Sequence, residues 1–228
     1  IWAMLAAAPF AVGAFAWQQR RTLKVHGSPL LPLPLFRDRG FASGQLVQVL
    51  SSIGNGGYVL VLLYYVQSAL GFSALAAGLT LLPFALGSMV ATPLAILATK
   101  RMGKWAVLAG GMVQAGALTW VLWTISANGP SLTGWDLTAP LALTGAGMMT
   151  LIMPLTTITL ESVPTQDAGA ASGTLTTFSQ VGMVLGVALA GTVFFGVLQD
   201  AAEARDAITT ALWVPIAAYA LAGLAASA

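Results

Sequence analysis

Charged positions are so unevenly spread along this chain that they cut it into long apolar runs. No Asp, Glu, Lys or Arg occurs between Arg39 and Lys100, and the stretches 105–135, 137–160, 168–199 and 207–228 are equally free of charge. Crossing a hydrocarbon core of about 30 Å takes roughly 20 helical residues. Divided at that length, the runs predict seven spans, at 1–17, about 44–67, 75–99, 105–126, 137–160, 171–198 and 208–228, with Gly71-Phe72-Ser73 splitting the longest run. The runs are continuous and do not alternate with a period of two, so helices are expected and not a lipid-facing barrel. The predicted fold class is all-α, a polytopic bundle of about seven transmembrane helices, with the lipid bilayer as its solvent.

Composition agrees with that reading. Charged residues make up 7% of the chain and hydrophobic residues 57%, where a soluble domain carries charge at about every fourth position. The first span begins without Met and the last stops without a polar tail, so both ends read as truncated and the chain as a fragment of a longer protein. Eight of the nine basic residues fall in two short segments, Arg20 to Arg39 and Lys100 to Lys104. Basic residues in short loops favour the cytoplasmic side, which places these two segments inside and the loops 68–74, 127–136 and 199–207 outside. The inside loop 161–170 carries Glu161 and Asp167 with no basic residue, and only the alternation of spans places it. The net charge of +2 therefore reports topology, and no nucleic-acid partner is implied.

The inventory for catalysis is nearly empty. His26 is the only histidine, there is no cysteine, and all seven acids, Asp38, Asp136, Glu161, Asp167, Asp200, Glu203 and Asp206, lie outside spans or at their ends. No His, Cys, Asp or Glu cluster has metal-ligand spacing, and no serine sits in a nucleophile elbow. The expectation is a protein that is not an enzyme and has no cofactor and no metal.

Uncharged polar groups within the spans are the remaining candidates. Gln45, Gln48, Ser52 and Asn55 recur at three- and four-residue steps, which stacks them on one helical face. Amides are costly against lipid tails, so this face looks into the bundle or into a wet cavity. Thr150, Pro154 and Thr157 form a weaker face on the span at 137–160, with Met148 and Met149 nearby and Pro154 as a hinge candidate. Gln114 and Gln180 are lone amides and read as interhelical glue. Tyr64 and Tyr65 read as interfacial belt residues, as do Trp2, Trp17, Trp105, Trp135 and Trp213; Trp120 and Trp123 sit deeper. In the span at 171–198, Gly169-xxx-Gly173 and Gly182-xxx-Gly186-xxx-Ala190 are read as one stripe of small residues for close helix packing and as a seam between moving parts.

Four stretches together resemble a known family. PLLPLPLFRDRGF at 29–41, GFSALAAGLTLLP at 71–83, PLAILATKRMGKW at 93–105 and VPTQDAGAASGTLTTFSQVGMVLGVALAGTVF at 163–194 are similar to the second half of the fourteen-span drug:proton antiporters of the major facilitator superfamily. The residues that carry the resemblance include Pro29, Phe36, Arg37, Arg39, Gly71, Ser73, Gly78, Pro83, Pro164, Gly169, Gly173, Gln180, Gly182 and Gly186, in the family's order and at its spacing. The cytoplasmic loop motif is matched by Arg101, Gly103 and Lys104. Its acidic position is held by Lys100 and its leading glycine by Ile96, which puts the gating role of this copy in doubt.

The resemblance implies a domain plan and a function. Residues 1–17 would be a truncated transmembrane helix of the extra pair, 18–43 a basic cytoplasmic loop, and 44–228 the C-terminal six-span bundle, its last span cut. The protein would export small amphipathic compounds across the cytoplasmic membrane in exchange for protons, by alternating access of two six-span bundles. Gln48, Ser52, Asn55, Thr150 and Thr157 would line the substrate cavity; Pro154, Gly182 and Gly186 would serve as hinge and packing positions. The spans at 75–99 and 171–198 would face the other bundle. No carboxylate lies inside a span, so the proton-coupling group would belong to the other half. A uniporter or symporter on the same fold is the nearest alternative, and a seven-helix receptor shares the span count.

Overall fold

The computed structural model describes residue 36 and residues 38–161, 163–199 and 204–227. The expected span at 1–17 and nearly all of the basic loop at 18–43 lie outside the described residues. Within them the chain is helical, with no strand, and six stretches are long and apolar enough to cross a membrane. They are α1 (Arg39–Tyr64), prolonged by a wide π turn over Tyr65–Ala69, then α2 (Ala74–Met102), α3 (Lys104–Asn128), α4 (Thr138–Glu161) and α5 (Ala168–Gln199). The sixth is built from α6 (Ala204–Ala211) and α7 (Trp213–Ser227).

Helix ends follow from local chemistry. α1 starts five residues before the apolar run expected from 44, because the Asp38 carboxylate accepts the Phe41 N–H at 2.8 Å and caps the first turn. Ser73 does the same for α2 by accepting the Ala76 N–H at 3.2 Å. The loop between α2 and α3 shrinks to Gly103, whose φ of 52° lies in the region that glycine enters without strain. Between α6 and α7 the helix is interrupted where Pro215 has no N–H to give the Ala211 carbonyl, although Leu212 and Ile216 keep their helical bonds on either side. Pro83, Pro93 and Pro154 are carried within continuous helices.

The helices pack in the spatial order α2, α4, α3, α7, α1, α5, with α1 also touching α4. Exchanging α1 with α4, α2 with α5 and α3 with α7 turns every one of these neighbour pairs into itself or another of them. Three helices are thus repeated by three of opposite direction, the inverted-repeat plan of secondary transporters. In lipid the helices are drawn together by close packing, not by water exclusion, and glycines supply it. Gly147 of α4 lies over the Gln114 backbone of α3, where a Cβ would stand 2.8 Å from the amide nitrogen. The core is formed by Tyr58, Leu62, Leu118, Leu141, Leu151 and Ile208, all fully buried. At the two ends of the arc, α2 and α5 turn broad apolar faces outward, as Met89 and Val184, exposed at 75% and 67%, illustrate.

Candidate functional site

α1 supplies the polar stripe, and most of it points inward as expected. Gln45, Gln48, Ser51 and Ser52 are buried and Asn55 is half-buried. The Gln48 amide donates to Ser52 Oγ at 3.4 Å, and Ser52 Oγ shares a hydrogen bond of 3.0 Å with Ser179 Oγ on α5. That pair can form because Gly182 brings α5 against α1: a Cβ there would stand 2.8 Å from the Ser52 Cβ. Gly186 continues the contact one turn on, against the Ile53 carbonyl.

Two neighbouring spaces lie beside this stripe. The larger, about 650 Å³, lies between α1, α2, α4 and α5 and is walled by Val59, Leu60, Leu63, Phe84, Met148, Met183 and Val187. Its volume falls in the range of about 300–1,000 Å³ that small-molecule sites occupy, and its wall has the usual character, apolar with few polar groups. Those groups are Asn55 in its depth and Tyr64, Gln67 and Ser68 toward the loop at 68–74. The smaller space, about 50 Å³, lies deeper and is lined by Gln48, Ser51, Ser52, Gln114, Ser179 and Tyr219. Asn55 and Met148 border both.

Several expectations need correction here. Tyr65 is no belt residue but part of the core, and Tyr64 stands on the cavity rim with its ring edge-on to Phe194 and Phe195, centroids 5.3 and 5.0 Å away. Gln67 and Ser68, at the end of the expected span and in the expected loop, lie on the cavity, since the extra residue of the π turn rotates them relative to an ideal helix. Gln114 is not interhelical glue, because its side-chain amide has no hydrogen-bond partner among the described residues. Gln180 lies exposed on the open side of α5 and glues nothing there. Trp120 and Trp123 are exposed like Trp105, Trp135 and Trp213, so their deeper position does not pack them inward.

Thr150 and Thr157 line neither of the two spaces, and each returns its hydroxyl to its own helix, to the Ala146 and Met153 carbonyls at 2.8 and 2.9 Å. Pro154 is buried in an unbroken α4. The small-residue stripe of α5 is two stripes. Gly182, Gly186 and Ala190 are packed on α1, whereas a Cβ on Gly169 or Gly173 would meet nothing within 4 Å.

At the end of the bundle where α1 and α3 begin, Arg39 and Lys104 border one further space with Ile158 and Thr159. The opposite end is tied by Arg205, which donates to the Ser126 carbonyl at the end of α3. There the Asp136 carboxylate accepts the Thr133 N–H at 2.8 Å and the Thr133 hydroxyl at 2.7 Å. These two bonds, the backbone one foremost, hold its pKa below the ordinary carboxylate range.

Residues 1–187 match the family described as Major Facilitator Superfamily. The chain belongs to that superfamily. Over 203 residues it is 38% identical to the probable actinorhodin transporter of Streptomyces coelicolor, in an alignment covering 88% of this chain and 35% of that protein. It is 33% identical over 200 residues to the multidrug efflux pump LfrA of Mycolicibacterium smegmatis, covering 83% and 37%. To the putative multidrug resistance protein MdtD of Cronobacter sakazakii it is 30% identical over 215 residues, covering 92% and 44%. The chain thus spans between about a third and somewhat under half of these relatives. With six membrane-length helices, and with drug-efflux proteins among its relatives, it is a multi-pass membrane protein of that superfamily.

Proposed function

We propose that residues 39–228 form the C-terminal bundle of an exporter of small amphipathic compounds in the cytoplasmic membrane, with 18–38 as the basic inside loop and 1–17 as a preceding span. The observation that carries this reading is the apolar space of about 650 Å³ against α1 and α4, flanked by the outward-turned faces of α2 and α5. A second bundle seated on those faces would close the space into a central cavity. Rocking of the two bundles would then open it to each side in turn. Asn55 forms the polar floor of that space, and Gln48 and Ser52 the polar lining of the smaller one beside it; Thr150 and Thr157 contribute indirectly, by shaping α4 beside Pro154. Arg101, Gly103 and Lys104 form the tight inside turn.

Proton exchange requires a titratable group within the membrane. All carboxylates of this chain lie outside spans or at their ends, so the coupling group is assigned to the other bundle. The test uses the full-length parent in cells loaded with a fluorescent amphipathic dye. Efflux that stops when a protonophore collapses the proton gradient supports exchange; efflux that merely follows the dye gradient, indifferent to the protonophore, identifies a uniporter instead.

A further inference from the structure

The smaller space holds polar groups that the bundle leaves without partners. Gln114 is 0% exposed and Tyr219 is 1% exposed; both amide atoms of Gln114 and the hydroxyl of Tyr219 have no hydrogen bond among the described residues. Leaving such groups dry and unmet is costly, and a primary amide can engage up to four partners. Neither residue is there by accident of loose packing. The Tyr219 ring lies on Gly54 of α1, where a Cβ would stand 2.6 Å from Cε2, and the Gln114 backbone lies under Gly147 of α4. Both residues line the chamber, next to the Gln48–Ser52–Ser179 chain. Its lining is uncharged throughout, offers donors and acceptors, and shares Asn55 and Met148 with the wall of the larger apolar space.

Resting on the proposed export cavity, we infer that Gln114 and Tyr219 form a neutral hydrogen-bonding subsite that takes a hydroxyl or carbonyl oxygen of the exported compound, whose apolar body fills the larger space. At about 50 Å³ the chamber exceeds the roughly 10–15 Å³ that one water-sized group requires. A substrate oxygen seated there is met by the amide and the phenol as they turn toward it. The chamber thus selects oxygenated apolar compounds over their plain hydrocarbon counterparts, without needing a charge on the substrate.

The test compares hydroxypyrene with pyrene, two fluorescent probes that differ by one hydroxyl, in binding to the purified full-length parent. The parent is expected to prefer hydroxypyrene by about tenfold, the factor that a well-made buried hydrogen bond supplies. Gln114→Leu is expected to bring the two probes to near parity while pyrene binding and folded yield are kept. Tyr219→Phe, which keeps the ring on Gly54, is expected to reduce the preference in part and decides the matter where Gln114→Leu does not fold. Parity in the parent, or an unchanged preference in either folded variant, overturns the subsite and leaves the cavity reading standing. Failure of both probes to bind the parent overturns the cavity reading and the subsite with it.

Discussion

Ser52 on α1 and Ser179 on α5 share a hydrogen bond of 3.0 Å that exists only because the helix backbones nearly touch beside it. Gly182 makes the approach possible, since a Cβ there would stand 2.7 Å from the Val49 carbonyl oxygen. Gly186 lies closer still to Ile53. A branched side chain at Gly186 must therefore push α5 off α1, and overpacking of this kind costs about 1–3 kcal/mol or more. Gly186→Val in the full-length parent is expected to lower the folded, monodisperse yield measured by size-exclusion chromatography. Normal yield with transport blocked would instead mean that the α1–α5 contact adapts to the larger side chain in folding but not in turnover.

Much of the fold was legible because the lipid solvent leaves a coarse signature. Charge-free runs of span length yielded six helices within a few residues of their ends, and the glycine-and-amide grammar of α1 and α5 pointed at the right surfaces. What escaped was angular detail. Gly173 and Gly182 are nine residues apart, about 900° at 100° per residue, and so lie on opposite sides of α5; reading both motifs as one stripe overlooked that half turn. The π turn after Tyr64 added a residue that no hydrophobic period announces, and it moved Gln67 and Ser68 onto the cavity. Gln114 could not be told from a packing amide, because only the neighbouring helices decide whether an amide finds a partner.

Asn55 borders both the apolar space and the polar chamber. Losing its amide removes a polar contact at the junction and leaves a small void beside Met148. Asn55→Ala in the parent is expected to change the rank order of exported compounds, with individual susceptibilities shifting several-fold, while membrane expression stays near normal. Reduced folded protein with an unchanged rank order would assign Asn55 to helix packing.

The topology follows from where the basic residues end up. Lys100 and Arg101 sit at the α2–α3 turn and Ser131 at the far end of α3, all exposed. Basic residues in short loops favour the cytoplasm, so a cysteine at Ser131 is expected to react with a membrane-impermeant maleimide on intact cells. A cysteine at Lys100 is expected to react only after permeabilisation. The reverse pattern would invert the proposed orientation.

Asp136 lies between α3 and α4, in the loop that the topology prediction places outside, and the Thr133 N–H and hydroxyl favour its charged form. Because its folded pKa is lowered, its contribution to the loop is fully present above the ordinary aspartate value of 3.8 and is lost only as pH falls through the still lower folded value. Over the range of roughly pH 5 to 8, in which proton-driven export is measured, its charge does not change. Asp136→Asn is therefore expected to leave the shape of the export-versus-pH curve of the parent unaltered, with at most a small uniform loss from a looser turn. A curve whose midpoint moves in this variant would make Asp136 part of the proton path and would overturn the assignment of coupling to the other bundle.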